Sequence, residues 1–321
     1  MSRYGCLPKT PDARDYQFRV TAPYSGAFVD LSAGFPEAPY DQGQLGSCVS
    51  NGTAAILDYA RAKQGLAALR RPSRLYIYWY GRELSGQPID QDTGLQVRDG
   101  LTVVSNLGAP PEDQDWPYDI TKFAQRPPLK ADADAKLDEA VKFGAVNVAD
   151  IDATIASGYP IVFGFTVHSS FESAAVAQTG VMPVPKHGEK DLGGHCVVAC
   201  STQIDGAQIG GIPGVKYRLV RNSWGHDGSW GLPSKPGYFY MPVSVMDGPE
   251  ASDFWVLTGV SDPNGPTPPP SPAPFPGALV AAVQAAADDP KLAPLLAGRY
   301  TVSGEKAATA HLQAILAAPR R

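Results

Sequence analysis

The sequence predicts an α+β fold in which a helical half and an antiparallel β half flank a cleft. Two observations carry this. From Cys48 to about Lys142 apolar residues recur at helical spacing, and from Phe143 onward short β-branched and aromatic runs dominate. The element types change once along the chain rather than alternating, which argues against a parallel βαβ sheet.

In chain order, residues 1–28 are polar, carry Pro8 and Pro11, and read as an extended arm or short pro-segment. The main domain spans 29–262. Its first helix starts at Cys48, where Val49, Ile56, Leu57, Tyr59 and Ala60 interleave with Ser50, Asn51, Asp58 and Arg61. Pro72-Ser73 opens a second, aromatic-rich helix with Leu75, Tyr76, Tyr78, Trp79 and Tyr80. A third covers about Leu95–Leu107, stopping at Gly108 before Pro110-Pro111, and the stretch Ala131–Lys142 is expected to be helical too. Strands are expected at Ala145–Val148, Ile161–Val167, Cys196–Ser201, Tyr217–Arg221, Tyr238–Met241 and Phe254–Leu257, with one short helix near Asp150–Ala156. Residues 263–277 are so rich in Pro that they favour a stiff polyproline spacer, a reading that outweighs a PxxP ligand. Residues 278–321 hold two Ala-rich helical stretches, too short to bury much core, so this tail docks on the main domain or binds a partner.

Four residues carry the chemistry. Cys48 stands at a helix start, where the helix field lowers a thiol pKa from about 8.5, and a neighbouring imidazolium lowers it further. His195, after Gly193-Gly194, offers a base for the thiol and an acid for a leaving amine. Asn222, in Asn222-Ser223-Trp224-Gly225, offers a carboxamide to orient that imidazole. Gln42, in Gln42-Gly43-Gln44-Leu45-Gly46-Ser47-Cys48, offers a second carboxamide that would stabilise an oxyanion together with the Cys48 backbone N–H.

The order Gln, Cys, His, Asn resembles the papain family of cysteine peptidases, over about Val29 to Val256. The family places His and Asn about 130–150 residues beyond the Cys. His195 fits, and Asn222 lies further on, displaced by the Gly-rich insertion Ile204–Val215. The family's usual Cys three positions before the nucleophile is Leu45 here, and its usual Trp just after it is Val49. Neither change removes a catalytic atom, and both point to a bacterial-type branch with a short leader, Gly5-Cys6-Leu7-Pro8 to Asp15. The resemblance implies an extended peptide or protein substrate pairing with Thr93-Gly94, and a specificity pocket lined by Gly164, Gly193 and Gly194 that takes an apolar or aromatic side chain. It also implies that Trp224 covers the His–Asn hydrogen bond, whereas Trp230 reads as packing. The folded inhibitory pro-region of many members has no room here, so latency would fall to the short arm or to a factor in trans.

Competing readings are weaker. His168 follows the apolar run Ile161–Val167 and could approach the cleft, while His187, His226 and His311 read as solvated. His195 and Cys196 point to opposite faces of a strand and no C-x-x-C pair exists, so no metal is expected. Asp90–Gly94 lacks the further ligands of a calcium loop. No cofactor is expected either. A net charge of −5 without a long basic run gives a nucleic-acid role no support. No apolar stretch reaches the roughly 18 residues of a membrane span, and the N-terminus lacks the apolar core of a signal peptide. Four cysteines are too few for a disulfide framework. Cys196 and Cys200 read as buried, and Cys6 as lying on a mobile terminus. A reducing cytoplasm is the expected compartment, with signal-independent export left open. Two alternatives to hydrolysis stand: an acyltransferase or ligase using the same thioester, and a silent peptide-binding module.

Overall fold

The computed structural model describes residues 4–10, 12, 15–20, 23–65, 71–135 and 140–260. The chain divides into two units, Met1–Gly265 and Pro266–Arg321. The expected tail and all but the start of the linker belong to the second unit, and both lie outside the described residues.

The helical half comprises α1 (Cys48–Lys63), α2 (Arg74–Leu84), α3 (Val97–Asn106) and α4 (Leu129–Ala135). The β half follows: β1 (Ala140–Ala145), α5 (Ile151–Ala156), β2 (Ile161–His168), α6 (Ala174–Thr179), β3 (Asp191–Ala199), β4 (Ile204–Asp205), β5 (Lys216–Arg221), β6 (Gly231–Leu232), β7 (Lys235–Pro236), β8 (Tyr238–Pro242), α7 (Val243–Met246) and β9 (Ala251–Val260). Among the described residues, seven strands form one antiparallel sheet in the order β1-β9-β2-β3-β5-β4, with β8 also pairing β5. The fold class is therefore the expected α+β. No helix among the described residues is long and apolar enough to cross a membrane.

The first helix starts at Cys48, as its pattern requires, and is buried from Cys48 through Arg61. That burial follows from its central position, packed against α2, α3, β3 and β9. Gly52 permits the close approach to the sheet: a Cβ there would stand 3.0 Å from Val162 Cγ2 and 3.2 Å from Cys196 Sγ. Ser73 caps α2 by accepting from the Tyr76 N–H at 3.2 Å. On β3 alternate residues serve two cores. Cys196 and Val198 join the cluster shared with the helices, and Val197 and Ala199 join the cluster on the other face.

Two expectations need correction. The helix expected to reach Lys142 is confined, among the described residues, to Leu129–Ala135, and Lys142 and Phe143 lie in β1. Pairing with β9 and the contact of the Phe143 and Trp255 rings at 5.6 Å outweigh the helix preference of that composition. The strand expected at Ala145–Val148 accordingly lies earlier. The β half also holds α6 and α7, whose six and four residues are too short to show a period.

One buried ion pair ties α2 to the segment before Cys48. Arg74 donates from Nε and Nη2 to the Glu112 carboxylate, both at 2.8 Å. Its Nη1 reaches the Asp41 carbonyl at 3.0 Å and Asn51 Oδ1 at 2.9 Å. Glu112→Ala leaves the buried guanidinium without its counter-charge and should destabilise the chain by about 3–5 kcal/mol. Equilibrium denaturation in urea measures this, and a loss under about 1 kcal/mol, the size of a surface pair, would contradict it.

Candidate active site

Cys48 is the first residue of α1 and is fully buried. Its thiol is pushed up to about 12, first by burial and then by the nearby Cys6 thiol; backbone N–H groups of Cys196, Gly5 and Val49 pull it part of the way back. The low thiol pKa expected from sequence is therefore absent in this closed arrangement. Desolvation beneath the N-terminal arm outweighs the helix field.

Gln42 is fully buried in the segment before α1. Its Nε2 donates to the Leu45 carbonyl at 2.9 Å, and its Oε1 accepts from Ser223 Oγ at 2.7 Å. Its backbone N–H donates to the Ser223 carbonyl at 2.9 Å. Ser223 also donates its own N–H to Asn222 Oδ1 at 2.8 Å. One serine thus fixes both carboxamides. Sequence reasoning gave it no role, because its hydroxyl is hidden inside a motif quoted for its neighbours.

His195 sits on β3, fully buried, with Nε2 2.7 Å from Asn222 Oδ1. Because Oδ1 already accepts from the Ser223 N–H, it is the oxygen of the amide, and the hydrogen lies on His195 Nε2. Nδ1 is then the basic nitrogen of the neutral ring, and it is buried without a hydrogen-bond partner among the described residues. Burial lowers the imidazole pKa to about 4, and the bond to Asn222 opposes that shift. The ring is neutral at pH 7. Trp224 stacks on it, with centroids 5.0 Å apart and planes 28° apart. Trp230 packs on Trp224, Phe171 and Phe239.

The N-terminal arm runs through this site. The Cys6 N–H donates to the Gly194 carbonyl at 3.0 Å, Leu7 N–H to the Leu95 carbonyl at 2.8 Å, and Leu95 N–H to the Gly5 carbonyl at 2.9 Å. The resulting bridge between Cys6 and Leu95 is parallel. Each glycine singled out for substrate faces the arm. A Cβ on Gly94 would meet the Gly5 carbonyl oxygen at 2.2 Å, on Gly164 the Cys6 Sγ at 2.7 Å, on Gly193 the Tyr4 Cβ at 3.0 Å, and on Gly194 the Cys6 carbonyl oxygen at 2.2 Å. Backbone pairing falls on Leu95 rather than on Thr93, whose N–H turns back to the Gln91 carbonyl. Tyr4 packs edge-on to His195 at 5.9 Å and hydrogen-bonds Glu172. Further out, Lys9 lies 3.8 Å from Asp253, and Arg98 pairs with Asp12 and Asp15. Cys6, expected on a mobile terminus, is instead seated in the cleft by these bonds.

The competing features lie elsewhere in their bonding. His168 Nε2 is 2.9 Å from Glu250 Oε2, His187 and His226 are exposed, and His311 lies outside the described residues. The Asp92 carboxylate accepts from the Gly46 N–H at 3.0 and 3.1 Å and from the Tyr78 hydroxyl, so in the Asp90–Gly94 loop it braces the turn before Cys48.

No family profile matches the chain. An uncharacterized peptidase C1-like protein of Acanthamoeba polyphaga mimivirus is 35% identical, over 81% of this chain and 88% of that protein. Among solved structures, xylellain, a cysteine protease from Xylella fastidiosa, superposes with a TM-score of 0.69 at 29% identity, covering 81% of this chain and 97% of that one. Procathepsin B of Trypanosoma congolense shares the fold at 14% identity, with a TM-score of 0.58 over 79% of this chain and 85% of that one. With a relative at that identity and a shared fold over four-fifths of its length, the chain belongs to the papain-like family of cysteine peptidases.

Proposed function

We propose that Cys48, His195, Asn222 and Gln42 hydrolyse peptide bonds through a thioester, and that the arm holds this site latent. The hydrogen bond from His195 to Asn222 beneath Trp224 is the observation that carries the reading, because it leaves Nδ1 as the base. In the open state Nδ1 takes the Cys48 proton, and the thiolate attacks the substrate carbonyl carbon. The amide N–H of Gln42 and the backbone N–H of Cys48 stabilise the oxyanion. The imidazolium then protonates the leaving amine as the C–N bond breaks. Water, deprotonated by His195, cleaves the thioester and restores the thiol. Transfer of the acyl group to an added amine instead of water would mark a ligase.

Latency follows from the arm's path. Gly5 lies against the turn before Cys48, where a Cβ would come within 1.9 Å of the Gly46 carbonyl oxygen. Any side chain at position 5 must therefore lift the arm. Peptide substrate and arm compete for the same backbone groups of Gly194 and Leu95.

Three outcomes test the reading. An epoxide or vinyl-sulfone inactivator should modify one residue, Cys48, and abolish peptidase activity; labelling of Cys196 or Cys200 with activity intact would refute the nucleophile. Gln42→Ala should lower kcat by about a hundredfold or more with little change in KM, a loss of roughly 3–4 kcal/mol confined to the transition state. An unchanged kcat rules out the oxyanion role.

Gly5→Val should speed Cys48 labelling about tenfold or more, in proportion to the open population. Its pH profile should also move to lower pH. Burial disfavours the thiolate and raises the pKa, so uncovering the thiol lowers it from about 12. Labelling of the intact chain should keep rising between pH 6 and 9, by about tenfold per unit, while the variant levels off. Superimposable profiles would reject shielding.

A further inference from the structure

Cys6 of the arm meets Cys48 and Cys196 in the cleft, and the proposed hydrolysis uses only one of these three thiols. Gly164 and Cys196 are cross-strand partners on β2 and β3, so their Cβ directions share one face of the sheet. The Cys6 thiol stands over Gly164 on that face, 2.7 Å from where a Cβ would be. The Cys196 thiol lies on the same face against Gly52 of α1, 3.2 Å from a Cβ there. Burial, and after it the neighbouring Cys6 thiol, push the Cys196 thiol up. Backbone bonds on both sides hold Cys6 in this place, from its own N–H to Gly194 and from Leu7 to Leu95. Cross-strand Cβ positions lie about 4.5–5.5 Å apart, so the Cys6 sulfur, seated at the Gly164 position, is a neighbour of the Cys196 side chain. A local adjustment of the arm at residue 6 would bring the two sulfurs into bonding distance.

We propose that Cys6 and Cys196 form an oxidisable pair whose disulfide fastens the arm into the cleft. The link would bind residue 6 to the floor of the site while leaving Cys48 reduced beneath it. A low-molecular-weight disulfide supplies the oxidising equivalents. Cys6 is only half-buried and is the point of entry, whereas Cys196 is fully buried. The Cys6 thiolate attacks one sulfur of glutathione disulfide, forming a mixed disulfide and expelling one glutathione thiolate. The Cys196 thiolate then attacks the Cys6 sulfur, the protein disulfide forms, and the second glutathione leaves. Two protein thiols are oxidised, one glutathione disulfide is reduced to two thiols, and the two protons lost from the protein go to them. A dithiol reductant reverses both steps and frees the arm. The effect on activity rests on the shielding reading above; the pairing of the thiols does not.

The full chain, incubated with glutathione disulfide, alkylated and digested without reductant, should yield a peptide joining Cys6 to Cys196. Vinyl-sulfone labelling of Cys48 should fall about tenfold or more on oxidation and recover with dithiothreitol. Cys6→Ser should abolish the link and the oxidative loss, with its labelling rate under reducing conditions within about twofold of the parent. A Cys6–Cys48 link, a glutathione adduct that never resolves, or an oxidative loss that persists in Cys6→Ser would each overturn the proposal. So would a Cys6–Cys196 link that leaves a measurable rate of Cys48 labelling unchanged. If Cys48 labels in neither state while the Cys6–Cys196 link forms, the pairing stands and the assignment of the nucleophile fails.

Discussion

The contact between α1 and β3 at Gly52 is the constraint on which the rest of the molecule depends. It brings a helix that is buried from Cys48 to Arg61 against the strand that carries His195. A helix packed on one side tolerates a change in distance; one enclosed by α2, α3, β3 and β9 does not. The head of α1 is therefore fixed relative to the sheet, and with it the thiol at its first residue. The buried Arg74 guanidinium extends that rigidity by joining Asn51 on α1 to the backbone just before Gln42. A desolvated ion pair is a poor way to gain stability, but its directional bonds are well suited to holding three segments in one geometry.

On the sheet side, positioning is done by neutral groups. Ser223 gives its N–H to Asn222 and its hydroxyl to Gln42. The orientation of the imidazole and that of the Gln42 carboxamide are thus coupled through one residue. Trp224 stacks on the imidazole that makes the His195–Asn222 bond, and exclusion of water there would strengthen that bond. No charged side chain is needed to orient the ring. This would suit the base proposed for His195, which must remain neutral until it takes a proton.

Much of this was legible in the sequence, for reasons that differ by element. The helix at Cys48 and the strand at Ile161 were readable because burial leaves long apolar runs and clear turn signals. The four candidate site residues could be singled out because their chemical types occur in a fixed order. The arm was not. Tyr4, Gly5, Cys6 and Leu7 form few bonds with one another, and all their meaning lies in contacts with Leu95, Gly164 and Gly194, far away in sequence. The glycines of the cleft gave the clue from the other side, since small residues mark a place where another backbone approaches. Lys142 and Phe143 were misread because pairing with β9 decides their state, and local preference does not.

If the arm shields the site as proposed, it acts on charge as well as on access. With Gly5 and Cys6 over the site, burial holds the Cys48 thiol near 12 and the His195 imidazole near 4. Both shifts favour neutral partners, so the proton stays on sulfur and thiolate is scarce. Water entering as the arm leaves would reverse both shifts together: it stabilises the thiolate and the imidazolium, and each charge then favours the other. Displacement of the arm would therefore do more than clear a path for substrate. It would move the proton from Cys48 to His195, and a peptide that replaced the arm would meet a nucleophile that the arm itself had kept protonated.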